Sequence, residues 1–191
     1  MPLLSTRSQL LLGLALAVLM AVTRGQHFAT LNLPSASWAV FFLAGVWLRP
    51  RWVFPALFAE ATLLDFSMVA VGTVGDWCTS PAYWVLVPAY GALWLGGRLY
   101  ARGHREHWSS LVRLALSVLV AALVCHLLSS GGFYFLSGRY PEPTLAGFLP
   151  RIGYYYPRFL ANLALYVGVA AVLYTGLRAW NGLGLQRESE V

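Results

Sequence analysis

One thiol, Cys78, stands in the segment Gly75-Asp76-Trp77-Cys78-Thr79-Ser80-Pro81, between two long apolar stretches. A thiolate is a soft ligand suited to polarisable metal centres, and metal binding deprotonates it. Ser80 and Pro81 are residue types that open helices, at the N-cap and the first helical position, so the thiol lies just before a helix start, whose amides favour the thiolate. Neighbouring Asp76 acts the other way. From the thiol alone two readings stand level, an incidental loop cysteine and a metal ligand. A second chemical group is Asp65, a carboxylate inside an otherwise apolar run, where ionisation costs about 2.5–3.5 kcal/mol unless a cavity, a partner or a ligand compensates it. Glu60 precedes it by five residues, about 140° around a helix axis, so the two do not form a catalytic carboxylate pair. Glu60 is expected to be protonated or paired with an arginine.

The elements that must position these groups are membrane helices. Of the 191 residues 59% are hydrophobic and 10% charged, a composition for which the bilayer is the solvent. A span needs about 20 apolar residues. Uncharged runs of 16 residues between Arg7 and Arg24, 21 between Asp76 and Arg98, 25 between Arg113 and Arg139, and 19 between Arg158 and Arg178 give four spans. A short one follows Pro34, and another is interrupted only by Glu60 and Asp65. The expectation is an all-α integral membrane protein with one six-helix domain over residues 1–191, with spans at about 8–24, 35–48, 52–74, 81–97, 111–135 and 158–177. A secretory signal is the alternative for the first span. Its end, Ala21-Val22-Thr23-Arg24, lacks a small-x-small cleavage site, which favours a retained helix.

Orientation follows from the basic residues, all 13 of them arginine. With both termini inside, nine arginines face the cytoplasm and Arg24, Arg139, Arg151 and Arg158 face out. The outward side then gathers Arg24, Gln26 and His27 in loop one, Cys78 in loop three, and Arg139, Tyr140, Arg151 and Tyr154 to Tyr156 in loop five. Four prolines, Pro141, Pro143, Pro150 and Pro157, predict a stiff, extended cover in loop five rather than a helix. Trp77, Tyr83 and the loop-five tyrosines are flat rings near the same surface, a placement shared by ligand contacts and interface anchors. Gly13, Ala17 and Ala21 form a small-residue ridge on the first helix, suited to packing within the bundle or to docking a second membrane protein. Cys125 and His126 fall inside span five, where plain packing with a satisfied imidazole is the expectation.

Several activities are excluded. Without lysine there is no Walker A loop, and no zincin helix or G-x-S-x-G elbow occurs. Basic residues do not cluster as nucleic-acid binding requires. His104, Arg105, Glu106 and His107 read as a solvated cytoplasmic loop.

Six short spans, the Ala17-x-x-x-Ala21 motif and polar outward loops resemble the substrate-binding S-components of energy-coupling-factor vitamin transporters. Asp65, the Asp76-Trp77-Cys78 loop, Tyr83 and Arg151 are similar to the pattern of the BtuM group, small bacterial membrane proteins linked to cobalamin uptake. The resemblance covers nearly the whole chain. It implies a cobalamin pocket opening outward in a bacterial inner membrane, with Cys78 as axial cobalt ligand and Asp65, Tyr83 and Arg151 as pocket or supporting residues. Trp77, Tyr154 and Tyr155 would face the corrin, and His27 would join its amide rim. It also implies that a thiolate at the upper cobalt position helps remove cyanide from cyanocobalamin. A coupling module, made of a membrane scaffold and two ATPases, would dock at Gly13, Ala17 and Ala21. The competing expectations are a haem-binding redox protein ligated by Cys78 or His126, and an assembly factor with no ligand.

Overall fold

The computed structural model describes residues 5–24, 33–71, 80–104 and 107–189, with the backbone alone for 181–189. Among these residues the chain is all helical: α1 (Thr6–Arg24), α2 (Ser37–Trp47), α3 (Val53–Ala70), α4 (Leu86–Gly103), α5 (Ser109–Leu136) and α6 (Leu145–Ser189), with a 3-10 turn at Pro81–Val85 leading into α4. Four of them, α1, α3, α5 and α6, are long and apolar enough to cross a membrane. Their outward surfaces fit that solvent. Leu10, Leu11, Leu14 and Val18 on α1 and Val169, Val172 and Leu173 on α6 are exposed, which lipid tolerates and water does not.

The shortest helix is the centre. In α2 every residue from Ser37 to Gly45 is buried, and the helix packs against α1, α3, α4 and α6. A helix apolar on all sides has no polar face to turn outward and is covered on every side. Its closest neighbour is α4, and glycines permit the approach. A Cβ on Gly45 would overlap the Trp94 carbonyl, and one on Gly97 would overlap the Phe42 carbonyl. At the far end Arg98 of α4 donates through Nη2 to the carbonyls of Leu48 at 3.3 Å and Arg49 at 2.6 Å, satisfying acceptors that the end of α2 leaves open. Arg113 does the same for α4, donating to the Gly103 carbonyl at 2.6 Å.

Most expected spans match observed helices within a few residues, and Ser80 with extended backbone does precede a helical Pro81. Loop five is a correction. Only residues up to Thr144 lie outside α6, which begins at Leu145 and carries Pro150 and Pro157 inside it. Arg151 and Tyr154 to Tyr156 are therefore helical, and the sixth helix extends well beyond the expected 158–177. Each proline removes one backbone hydrogen bond and crowds the carbonyl four residues earlier. For Pro157 that residue is Gly153, which has open space around it, and membrane helices absorb such interruptions.

Candidate functional site

Arg24, the last residue of α1, meets Asp65, the thirteenth of the eighteen residues of α3, in a two-pronged ion pair. Nε donates to Oδ1 and Nη2 to Oδ2, both at 2.6 Å. This fork-to-fork geometry is the strong form of a charge-assisted pair. Tyr83 of the 3-10 turn adds a third donor to the carboxylate, its hydroxyl lying 2.9 Å from Oδ2. The remaining arm of Arg24, Nη1, donates to Ser37 Oγ at 2.8 Å and to the Tyr90 hydroxyl at 3.1 Å. One guanidinium and one carboxylate thus tie together α1, α2, α3, the 3-10 turn and α4. Side-chain exposure is 13% for Arg24 and 17% for Asp65, so the charges are largely withdrawn from solvent and each depends on the other.

The local sequence fixes this junction. Thr23 folds its hydroxyl back onto the Leu19 carbonyl at 2.8 Å and accepts the Ala36 amide at 3.1 Å, so the end of α1 is tied to the entry of α2. Tyr166 of α6 donates to the Pro34 carbonyl at 2.6 Å from the other side. Tyr90 is stacked on Phe41 with ring centroids 4.5 Å apart, which holds its hydroxyl toward Arg24. Tyr83 has Phe66 edge-on at 5.6 Å.

A second cluster lies around Arg151. Its Nη2 donates to the Tyr140 hydroxyl at 2.7 Å, and its guanidinium sits 4.9 Å from the Tyr140 ring, 5.5 Å from Tyr134 and 5.6 Å from Tyr155. Tyr155 meets Tyr154 edge-on at 4.9 Å, and Tyr154 is exposed. The end of α5 separates this aromatic cage from the first cluster. A Cβ on Gly132 would crowd Val85 of the 3-10 turn, while Gly131 lies against Phe148 of α6.

Of the site residues expected from the sequence, Asp65 and Tyr83 come together in the first cluster, and Arg151, Tyr154 and Tyr155 in the second. His27, Trp77 and Cys78 lie outside the described residues. Gly13 and Ala17 are half-buried against their own bundle, Gly13 facing Leu48, and Ala21 is half-buried too. Ser37 and Tyr90 carried no signal in the sequence reading, and Arg24 stood there only as an outward charge. Its position at the close of an apolar run, near the depth of Asp65, is the signal that pairs them. Glu60 has no ion-pair partner among the described residues.

His126 corrects an expectation. It is fully buried, and its Nδ1 is 3.2 Å from Ser130 Oγ, but its Nε2 has no hydrogen-bond partner among the described residues. Aromatic rings surround it, Tyr156 at 5.6 Å, Phe159 at 5.9 Å and Trp38 at 6.4 Å. Adjacent Cys125 is buried with a free thiol. No three of His, Cys, Asp and Glu gather as metal ligands among the described residues. No family model matches this chain, and no curated protein matches it either.

Proposed function

We propose that this chain binds cobalamin and carries it, or its precursors, across the bacterial inner membrane, with Cys78 as an axial ligand to cobalt. The observation that carries the reading is the cluster of Arg24, Asp65, Tyr83, Ser37 and Tyr90. It joins two residues that the resemblance names to the end of α1, just before His27 in sequence, and to the 3-10 turn that follows Cys78. An intramembrane carboxylate so completely compensated is positioned rather than left as a free acid. Its role in this reading is to hold the outer ends of four helices in register.

The thiolate is the soft ligand that the metal accepts. Taking the upper position in place of cyanide, it would release cyanide as the anion without any change in electron count. Arg151 with Tyr155 and Tyr154 offers cationic and aromatic contact to the amide rim and corrin face. Nine arginines on one side against four on the other favour an orientation with both termini in the cytoplasm. With no lysine for a phosphate loop, movement driven by ATP would require the borrowed coupling module.

Haem ligation is the second reading, favoured only by the open Nε2 of buried His126. The absorption spectrum of the purified protein separates the two. Corrin bands that shift on titration with cobalamin support the proposal. A Soret band that vanishes in His126→Ala supports haem, and no change with either compound sinks both. Uptake in cells with and without the coupling module then decides how transport is driven.

A further inference from the structure

Helix α3 carries four polar side chains, Glu60, Thr62, Asp65 and Ser67, and the chain itself satisfies three of them. The Thr62 hydroxyl donates to the Phe58 carbonyl at 2.8 Å and that of Ser67 to the Leu64 carbonyl at 2.7 Å, while Asp65 takes Arg24 and Tyr83. Glu60 is the exception. It makes no hydrogen bond or ion pair among the described residues, and every donor nitrogen of Arg24 is already engaged elsewhere. Glu60 stands eighth among the eighteen residues of α3, about 10 Å of helix from one end and about 15 Å from the other. A glutamate is too short to carry its carboxyl over either distance to the interface, as a long basic side chain near a helix end can. A carboxyl group at that depth calls for a partner.

The side of α3 on which Glu60 stands is open. Ala56, Leu63, Ser67 and Ala70 are exposed, Leu63 by 71%, and Glu60 is half-buried. Positions 56, 60, 63, 67 and 70 follow the alternating spacing of four and three that marks the seam of a left-handed helix pair. They are turned about 100° away from buried Val53, Leu57, Ala61 and Met68. Two copies inserted the same way in one membrane are related by a two-fold axis along its normal, so their α3 helices run parallel and each seam position meets its own equivalent. A carboxylic acid completes itself in that arrangement. In its neutral form it is donor and acceptor at once, and two of them face to face close two hydrogen bonds with no further group. Small side chains at Ala56, Ser67 and Ala70 let the two backbones approach, and Leu63 packs on Leu63. We propose that this chain forms a parallel dimer through α3, with the Glu60 carboxyl groups of two copies hydrogen-bonded to each other inside the membrane. The surface lies on α3 rather than on the Gly13, Ala17 and Ala21 ridge of α1, and the proposal does not rest on the cobalamin reading.

The test uses the purified full chain in phosphatidylcholine vesicles, with pairing read by fluorescence transfer between labelled copies and by disulfide crosslinking. Glu60→Leu should weaken dimerisation by about five- to tenfold, the worth of two hydrogen bonds between membrane helices. Glu60→Gln, whose amide is likewise donor and acceptor, should keep most of the pairing. Because Glu60→Leu removes a carboxyl group from hydrocarbon, its thermal unfolding should not fall, which separates lost pairing from lost fold. Oxidation should join Leu63→Cys into a covalent dimer about fivefold faster or more than Leu173→Cys, an exposed position on α6, with the wild type and its own two cysteines as background. The proposal is overturned by a wild type that stays monomeric, by Glu60→Leu pairing as well as the wild type, or by Leu63→Cys joining no faster than Leu173→Cys. In native membranes, Leu63→Cys joined to a different protein in place of a second copy overturns it as well.

Discussion

The two ends of this bundle use arginine for different work. At one end Arg98 and Arg113 donate to backbone carbonyls at the ends of α2 and α4. These carbonyls are present whatever the side chains, and the bonds lie near the surface, where water can replace them. At the other end Arg24 spends its donors on side chains, the Asp65 carboxylate and the hydroxyls of Ser37 and Tyr90. Those partners come from three different helices and are largely buried. The first kind of contact finishes a helix. The second fixes helices relative to one another and makes each charge conditional on its partner, which is how a site inside a membrane protein is held to one geometry.

Breaking the buried pair should give the largest effect. Arg24→Met leaves Asp65 uncompensated and is expected to cost about 3–5 kcal/mol, read as thermal unfolding of the detergent-purified protein. The double variant Arg24→Met/Asp65→Leu should recover most of that loss, since it removes both desolvated charges. Additive losses would show that the pair is not a unit. Removing one neutral donor to the carboxylate is the intermediate case. Tyr83→Phe should cost about 1.5–3 kcal/mol, the worth of a hydrogen bond to a charged group, and the loss should disappear when Asp65 is already replaced by Leu. The carbonyl-capping arginine defines the small end. Arg113→Gln should change stability by about 0.3–1 kcal/mol and become weaker still at high salt. If Arg113→Gln matched Arg24→Met, the contrast between the two ends would fail.

Asp65 was legible because a carboxylate in an apolar run has a known cost, and its compensation by a partner follows the expectation drawn from it. The partner left only a faint signal, its place at the close of an apolar run near the depth of Asp65. Arg24 lies 41 residues away, and only the packing of α1 beside α3 brings the two together. The short apolar run after Pro34 announced α2 as a helix, but its central place was not part of that expectation and emerges only from its burial on every side. The proline-rich segment misled in the other direction. Local rules set Pro150 and Pro157 outside any helix, whereas the length of apolar surface on α6 outweighs two missing hydrogen bonds in a medium that offers the backbone no water. The open Nε2 of His126 left no trace in the sequence, because a buried imidazole is satisfied or not by tertiary neighbours alone.

The proposal turns on Cys78, which lies outside the described residues, and one titration tests it most directly. Cobalamin is added to the purified wild type and to Cys78→Ala, and the absorption bands of the corrin are followed. The account predicts a saturable spectral change in the wild type that is lost in Cys78→Ala, although Cys125 remains as a thiol in both. An equal spectral change in the two proteins would contradict it.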